Sequence, residues 1–176
     1  MRSLAAAFLL VLDWASATAQ DLTEQDREAI EVMTEASMAA TERGDVWTAL
    51  DLVPPPIAER QAKAIGMSVP EATDALQAYL DEVREGVTLV SYELFTDQIA
   101  EGVTAGGRSY ALIPDKTVMD LGDRLWTQES TAVALEDGAP WYPFPVPDEE
   151  NVALLRSTHP DFEDVDFPPS RTTMTP

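Results

Sequence analysis

Val87-Thr-Leu-Val-Ser-Tyr-Glu-Leu-Phe-Thr96 opens the part of the chain that decides the fold, which runs on to Phe144. β-Branched and aromatic residues alternate there with polar ones, a pattern that is typical of a strand. The alternation places Val90, Tyr92 and Leu94 on one face of that strand. A strand here, followed by turn residues and further alternating runs, predicts an antiparallel sheet.

The next signals extend this sheet. Gly106-Gly107 suits a turn because glycine tolerates positive φ, and Arg108–Ile113 then returns as a second strand. Pro114 has no N–H to donate to a ladder. We therefore expect a bulge, an edge position or a break at Pro114, before a short extended segment at 117–119.

A long third strand and a short fourth strand complete the predicted sheet. The turn residues 120–123 precede Arg124–Leu135, which alternates over its whole length. Asp137-Gly138 predicts a hairpin turn that leads into Trp141–Phe144. Pro143 indicates that this last strand lies at an edge of the sheet.

Helices are predicted on both sides of the sheet in sequence. Capping residues and apolar positions at helical spacing place them from Asp21 or Thr23 to about Arg43, as a short turn near 45–53, from Ile57 to Ile65, from Ser68 to Val83, and from Asp148 to Arg156. Helices followed by a hairpin-connected sheet give an α+β order. Further along, we expect His159 to be a solvated surface residue and 159–167 to lie over the domain as an extended segment.

Two predictions concern the tryptophans. Counting outward from the Asp137-Gly138 turn pairs positions near 133 with 142, so Trp126 and Trp141 are not expected to be direct cross-strand neighbours. Trp47 belongs to the helical half. If the helices pack into the concave side of the sheet, the sheet buries Trp47.

The first residues predict export. A positive start, an apolar run from Leu4 to Leu12 and the small residues Ala17-Thr-Ala19 describe a secretory signal peptide that is cleaved before Gln20. An apolar run this short cannot cross a bilayer. The alternative is a cytoplasmic N-terminal helix. The predicted organisation is a signal peptide at 1–19, a single domain at 20–167 and a disordered tail at 168–176, in a periplasmic or secreted protein without membrane insertion.

Composition narrows the classes of partner. The formal net charge is −21, which repels phosphate backbones, so we expect no nucleic-acid partner. The chain contains no cysteine, which excludes disulfides, thiol nucleophiles and thiolate metal sites. Dispersed acidic residues are typical of a well-solvated surface, and recruitment of a basic partner is the alternative.

Several short segments resemble small exported bacterial proteins with a nuclear transport factor 2-like (NTF2-like, cystatin-like) cone fold, which are mostly of unknown function. The resemblance covers nearly the whole chain after the signal peptide, although none of the segments is a catalytic motif. They are Trp47–Pro56 entering a helical hairpin that closes at Gly66-Met-Ser, Ser91-Tyr-Glu-Leu, Asp137-Gly138 leading to Trp141-Tyr142, Leu154-Leu155 leading to Pro160-Asp-Phe, and Asp166-Phe167-Pro168.

The resemblance implies N-terminal helices packed on a curved antiparallel sheet of about four strands, with a pocket at the open end and frequent homodimers. Pro143 and Pro145 depart from the pattern, because such proteins usually continue their last strand after the Trp-Tyr pair. The ligand pocket would be lined by Tyr92, Tyr110, Asp120 and Trp126.

The sequence leaves two classes of function open, a binding protein and an enzyme. The preferred hypothesis is non-enzymatic binding of a small apolar molecule or of a protein partner, without a cofactor or a catalytic residue. The alternative is a small-molecule enzyme like the ketosteroid isomerases or SnoaL-like cyclases, with an Asp/Tyr pair in the pocket.

The sequence contains few of the residues that bind metal ions specifically. A single histidine and no cysteine make a zinc site remote. Asp161, Glu163, Asp164 and Asp166 crowd together but lack the calcium-loop motif, so we interpret them as a solvated strip.

Overall fold

The computed structural model describes residues 22–83, 86–137 and 140–176, without the side chains of Val46, Trp47, Leu50 and Val83. The predicted signal peptide, Gly138 of the predicted turn and the side chain of Trp47 therefore lie outside the described residues. The helices are α1 (Glu24–Arg43), α2 (Val46–Asp51), α3 (Pro55–Ala64), α4 (Val69–Val83) and α5 (Glu149–Thr158). The strands are β1 (Thr88–Leu94), β2 (Ala100–Val103), β3 (Ser109–Asp120), β4 (Leu125–Glu136), β5 (Trp141–Pro145) and β6 (Arg171–Thr175).

The predicted fold class is confirmed. Helices precede a curled antiparallel sheet that forms a half-barrel, which is the α+β arrangement of an NTF2-like cone. The helix ends follow the predicted capping. Thr23 and Asp26 form the capping box of α1, in which the Thr23 N–H donates to Asp26 Oδ2 at 2.9 Å. Ser68 and Glu71 form the same arrangement before α4, with the Ser68 N–H donating to Glu71 Oε2 at 2.8 Å.

The sheet has more strands than the four predicted. Its main order is β1-β3-β4-β5, while β2 also pairs with β3 and β6 with β4. The long strands β3 and β4 therefore form the centre, and each is flanked along its length by two shorter strands. The Gly106-Gly107 turn joins β2 to β3, and Gly107 has a φ of 85°, as expected for a turn glycine.

Strand β3 continues through Pro114, so of the three alternatives expected there the break before 117–119 is wrong. The Pro114 carbonyl accepts a hydrogen bond from the Phe95 N–H at 2.9 Å. In a strand, the N–H and C=O of one residue point to the same side, so the missing N–H of Pro114 also faces Phe95. There β1 has ended at Leu94 and β2 has not yet begun at Ala100, so no ladder hydrogen bond is lost.

Strand β1 departs from strict alternation at one residue. The register with β3 shifts between Leu89 and Ser91, which marks a β-bulge. Of the three residues that alternation places on one face, Tyr92 and Leu94 are buried, whereas Val90 is 57% exposed. Alternation therefore assigns the wrong face to Val90, because the bulge shifts the pattern by one residue and Leu89 packs against the buried cluster of Tyr92 and Leu94 in its place.

Strand β5 lies at an edge of the main strand order, as Pro143 predicts. Its register is shifted by two residues from the predicted one, because Leu135 pairs with Tyr142 and Val133 pairs with Phe144. The prediction for the tryptophans is confirmed. Trp141 pairs with Glu136, whereas Trp126 pairs with Met119 and Met174.

The C-terminal end also differs from the expectation of a disordered tail. Residues Arg171–Thr175 form β6, which pairs with Leu125–Glu129 of β4. Strand β5 reaches only to the level of Ala132, so the rest of that β4 edge is open to another strand. All five side chains of β6 are exposed, so backbone pairing accounts for this strand and apolar burial contributes little.

Opposite faces of the sheet support two separate clusters of buried side chains. On one face, α1 packs with Ile30 and Met33 against residues of β1, β3, β4 and β5: Tyr92, Leu94, Ala111, Ile113, Ala132, Ala134 and Trp141. On the other face, α3, α5 and the segment after α5 pack against β4 and β5: Ile57, Leu155, Phe162, Val165, Val133, Leu135 and Phe144. Both faces of β4 are therefore buried from Thr131 to Leu135.

His159 is buried beside Phe162, on the face of the sheet opposite to α1, so the prediction of a solvated histidine is wrong. It is only 3% exposed, its Nδ1 lies 2.9 Å from Thr158 Oγ1, and its ring meets Phe162 edge-on. Pro160–Phe162 forms a 3₁₀ turn that buries the Phe162 ring and carries His159 inward with it. Desolvation, with the nearby charge of Arg108, lowers the pKa of His159.

Candidate ligand-binding site

A cavity of about 380 Å³ opens on the α1 face of the sheet, between the sheet and the helices α1, α2 and α4. It lies beside the cluster of buried apolar side chains that packs against α1, and its floor is formed by Asp115 and Thr117 of β3 with Gln128 and Ser130 of β4. Its size falls in the range of pockets that bind small molecules. The side chains and backbone that line it come from Ser37, Ala40, Thr41, Gly44, Asp45, Ala49, Val53, Leu76, Leu80, Tyr92, Asp115, Thr117, Gln128, Ser130, Pro143, Pro145 and Pro147.

Asp115 is the most unusual residue of this cavity. It is only 4% exposed, although it carries a carboxyl group. Its Oδ1 accepts a hydrogen bond from Ser130 Oγ at 2.7 Å, across the β3–β4 pair. Its Oδ2 is buried and has no hydrogen-bond partner among the described residues. A buried polar atom without a partner is costly, so a cavity-lining residue that carries one is a candidate for contact with a ligand.

The position of Asp115 follows from the continuity of β3. Because the strand runs through Pro114, alternation places Asp115 on the same face as Ala111 and Ile113, which belong to the buried cluster. Burial raises the pKa of Asp115, and the Ser130 hydrogen bond only partly opposes this effect. Proton binding by Asp115 is therefore favoured relative to an exposed aspartate.

Tyr92 stands next to this carboxyl group in the cavity wall. It is buried on β1 and pairs with Thr117, while its neighbour Leu94 pairs with Asp115. Burial, and then the negative charge of Asp115, raise the pKa of Tyr92, so its hydroxyl is protonated at neutral pH. A phenol and a carboxyl group thus share one mainly apolar cavity.

The rest of the polar lining is neutral or has its own partners. Thr117 and Gln128 face each other across β3 and β4. Asp45 accepts hydrogen bonds from the Thr48 hydroxyl at 2.6 Å and from its N–H at 3.1 Å, which lower the pKa of Asp45. No lysine or arginine is found among the lining residues in the part of the chain that the structure describes.

The four residues predicted for the pocket are placed differently from one another. Tyr92 lines the cavity. Tyr110 lies on the other face of the sheet, where its ring centroid is 5.5 Å from that of Phe162. Asp120 is exposed and caps a turn, accepting a hydrogen bond from the Gly122 N–H at 2.7 Å. Trp126 shares the face of Ser130 by alternation but lies four residues along β4, beyond Gln128.

Sequence reasoning missed Asp115 because the second strand was predicted to end at Ile113, with a bulge, an edge position or a break left open at Pro114. A signal was nevertheless present. If Arg108–Asp120 is treated as one strand, an aspartate falls on the face that carries Ala111 and Ile113, and an acidic residue in an apolar row is unusual. The pattern predicts a buried carboxyl group only once the strand is known to be continuous.

Metal binding receives no support from the described residues. No group of three or more histidine, cysteine, aspartate or glutamate side chains in ranges 22–83, 86–137 and 140–176 is arranged to hold a metal ion. Asp161 of the acidic segment instead accepts a hydrogen bond from Arg108 Nε at 2.8 Å and one from Thr104 Oγ1 at 3.2 Å. These contacts tie the β2–β3 hairpin to the segment after α5.

A second depression lies between α3, α4 and α5, with a volume of about 520 Å³. Ile65 and Leu76 are exposed at it, so its surface is partly apolar. Asp115 carries the buried, unpartnered side-chain oxygen of the described chain, and Asp115 lines the other cavity. The cavity beside Asp115 is therefore the better candidate for specific recognition.

A comparison of the chain with protein-family models, with curated protein sequences and with solved structures found no match. Among the described residues, no helix combines the length and the apolar character that crossing a bilayer requires.

Proposed function

We propose that this protein binds a small, mainly apolar molecule in the cavity between α1, α4 and the sheet. The observation that carries the proposal is Asp115, which lines that cavity and whose buried Oδ2 has no hydrogen-bond partner among the described residues. A ligand group that meets this oxygen relieves the cost of leaving it unpaired. The apolar lining, which includes Leu76, Leu80 and three prolines, supplies the remaining affinity through burial.

The test is uptake of the neutral apolar dye N-phenyl-1-naphthylamine, whose fluorescence rises in apolar surroundings. Ser37→Phe places a large ring at the cavity wall on α1, and we expect it to reduce dye binding at least about tenfold. The matched control is Ala36→Phe, since Ala36 is exposed on the same helix and does not line the cavity. Equal dye binding by the parent and the Ser37→Phe variant would contradict binding in this cavity.

The second candidate is a small-molecule enzyme of the ketosteroid isomerase or SnoaL-like type. It is favoured by the raised pKa of Asp115 in a cavity that it shares with Tyr92, since perturbed carboxyl groups in clefts are candidates for acid–base catalysis. Asp115 would take a proton from the substrate carbon next to the ketone group and return it to the γ carbon of the substrate. Isomerisation of a β,γ-unsaturated cyclic ketone that Asp115→Asn abolishes supports this candidate, whereas binding without turnover supports the first.

The family and the location are part of the same proposal. The cone-shaped arrangement of helices and sheet supports a relation to exported NTF2-like proteins, and the first 19 residues support export to the periplasm or the exterior. A protein partner or a second copy of the chain is the alternative to a small ligand. Analytical ultracentrifugation at several concentrations tests the second copy directly.

A further inference from the structure

We infer that the ligand of this cavity is an apolar cation, such as an alkylammonium ion, and that Asp115 is its counter-ion. The inference rests on the proposed binding function and names the chemical class of the ligand. It starts from the geometry of the carboxyl group. One oxygen of Asp115 is occupied by Ser130 at 2.7 Å, while the other is buried without a partner and lacks only a hydrogen-bond donor.

The charges around the cavity favour a positively charged donor over a neutral one. The titratable groups of the lining are Asp45 in the α1–α2 connection, Tyr92 on β1 and Asp115 on β3, whereas the lining residues of α4, β4 and β5 are uncharged. Among described lining residues, none carries a positive charge. Asp45 is already paired with Thr48 and lies 3.9 Å from Arg43, so Asp115 is the acidic group that is left for a ligand.

The same charges disfavour the competing classes. An anionic ligand would meet two carboxyl groups and no cation, in a protein of formal net charge −21. A ketone has no hydrogen to donate, so it leaves the unpaired oxygen of an ionised Asp115 without a partner. A cation stabilises the ionised carboxylate instead and can also lie against the Tyr92 ring, because aromatic faces attract ammonium groups.

Binding of a cation is therefore coupled to ionisation of Asp115. The free protein holds the Asp115 proton more tightly than an exposed aspartate would, and the cation displaces it. Affinity for an alkylammonium ion should rise with pH as Asp115 ionises, while affinity for a neutral analogue should not. An alkylammonium group has a pKa of about 10, so the ligand itself keeps its charge throughout this range.

The experiment compares three molecules of nearly equal shape, 1-adamantylamine, 1-adamantanol and 2-adamantanone, together with their smaller cyclohexyl counterparts. Isothermal titration calorimetry at fixed salt gives the affinities between about pH 5 and pH 8. We expect the ammonium ions to bind at least about tenfold more tightly than the alcohols and ketones, with an advantage that grows with pH.

Two variants of equal charge change separate Asp115 from the general field of the protein. Asp115→Asn should remove the advantage of the ammonium ions and leave the affinity for the alcohols within a few-fold. Glu93→Gln is the control, because Glu93 is exposed on β1 next to Tyr92 and does not line the cavity. It should leave all affinities unchanged, and thermal unfolding verifies that both variants are folded.

The outcomes separate this inference from the proposed function. Preference for the ketones or alcohols, or an ammonium affinity that Asp115→Asn does not alter, overturns the cation while ligand binding stands. Failure of both ammonium ions to bind, in a protein whose cavity takes up N-phenyl-1-naphthylamine, also overturns it. If neither the dye nor any of the six molecules binds, the proposed function falls together with the inference.

Discussion

Replacing Asp115 by asparagine should stabilise the ligand-free protein at neutral pH and leave its stability almost unchanged in acid. Asparagine keeps a side-chain oxygen for the Ser130 hydroxyl, which donates to Asp115 at 2.7 Å. The substitution removes the charge from a residue that is only 4% exposed and has one unpartnered oxygen. The stability of the parent is therefore limited by a buried carboxylate that the variant does not contain.

The sign of the pH dependence follows from the raised pKa. Because burial raises the pKa of Asp115 above its ordinary value, the folded state holds the proton more tightly than the unfolded chain does. Asp115 is thus neutral in both states at low pH, and the parent loses stability as the pH rises through the folded pKa. The variant has no such loss, so the difference in unfolding free energy grows with pH.

The expected magnitude comes from the unpaired oxygen. Leaving a buried polar atom unsatisfied costs about 1–3 kcal/mol, and more when the group is charged. The asparagine amide also leaves a donor unpaired, which cancels part of the gain. We expect the variant to be more stable by about 1 kcal/mol at pH 8, which raises the midpoint of thermal unfolding by about 2–4 °C for a chain of this length.

The assay is urea unfolding of parent and variant at several pH values and at fixed salt, because the many acidic groups make stability sensitive to salt. Asp161→Asn is the control of opposite sign. Burial raises the pKa of Asp161, but the hydrogen bond and charge of Arg108 outweigh that effect and leave the pKa below its ordinary value. Asp161 therefore stabilises the protein above its unfolded pKa and loses this contribution as the pH falls.

The Asp161→Asn variant should thus be less stable than the parent at neutral pH by about 1–3 kcal/mol, with a smaller difference in acid. For Asp115→Asn, a destabilised variant or a difference that stays constant from about pH 4 to pH 8 would refute the argument, because either result means that Asp115 is not an unpaired buried acid in the free protein.

Four further predictions test the fold and the proposed export of the protein. Phe162→Ala should cost about 3–5 kcal/mol in urea unfolding, because the ring is fully buried against Tyr110, and a cost below about 1 kcal/mol would contradict that packing. Gly102→Ala should cost about 1 kcal/mol or more, since a Cβ there meets Cζ and the hydroxyl of Tyr110, whereas Gly86→Ala, with no atom within 4 Å of the new Cβ, is the matched control. Deleting 168–176 should cost less than about 1 kcal/mol but speed amide exchange in Leu125–Glu129, which loses its β6 partner; unchanged exchange would mean that β6 is not paired in solution. Intact mass of the natural protein should correspond to a chain that begins at Gln20, and retention of Met1–Ala19 would refute export.

Local signals in the sequence were sufficient for the helices and for strands β1, β4 and β5 of this fold. Capping residues such as Thr23 and Ser68, the stops at Gly44 and the alternating run of β4 depend on neighbours within a few residues, so they can be recognised without the tertiary structure. The α+β class followed from their order along the chain.

Contacts between distant segments were not recognisable in this way. Strand β6 has few apolar residues and is defined by the open edge of β4, which no local pattern reveals. His159 was interpreted as a surface residue because it stands among acids, yet the turn at Pro160–Phe162 carries it inward with the Phe162 ring. In both cases the deciding partner lies elsewhere in the sheet or in the core behind it.

The residues of the candidate site also differ in whether local sequence signals or distant contacts place them. The sequence by itself determined that Tyr92 and Leu94 share one face of a strand, because alternation depends only on the residues beside them. Only the tertiary structure decided that Asp115 belongs to the cavity. The physical reason is the gap that the sheet leaves between β1 and β2 beside Pro114. A proline without an N–H loses no hydrogen bond in this gap, so strand β3 continues through it. The next residue, Asp115, therefore lines the cavity.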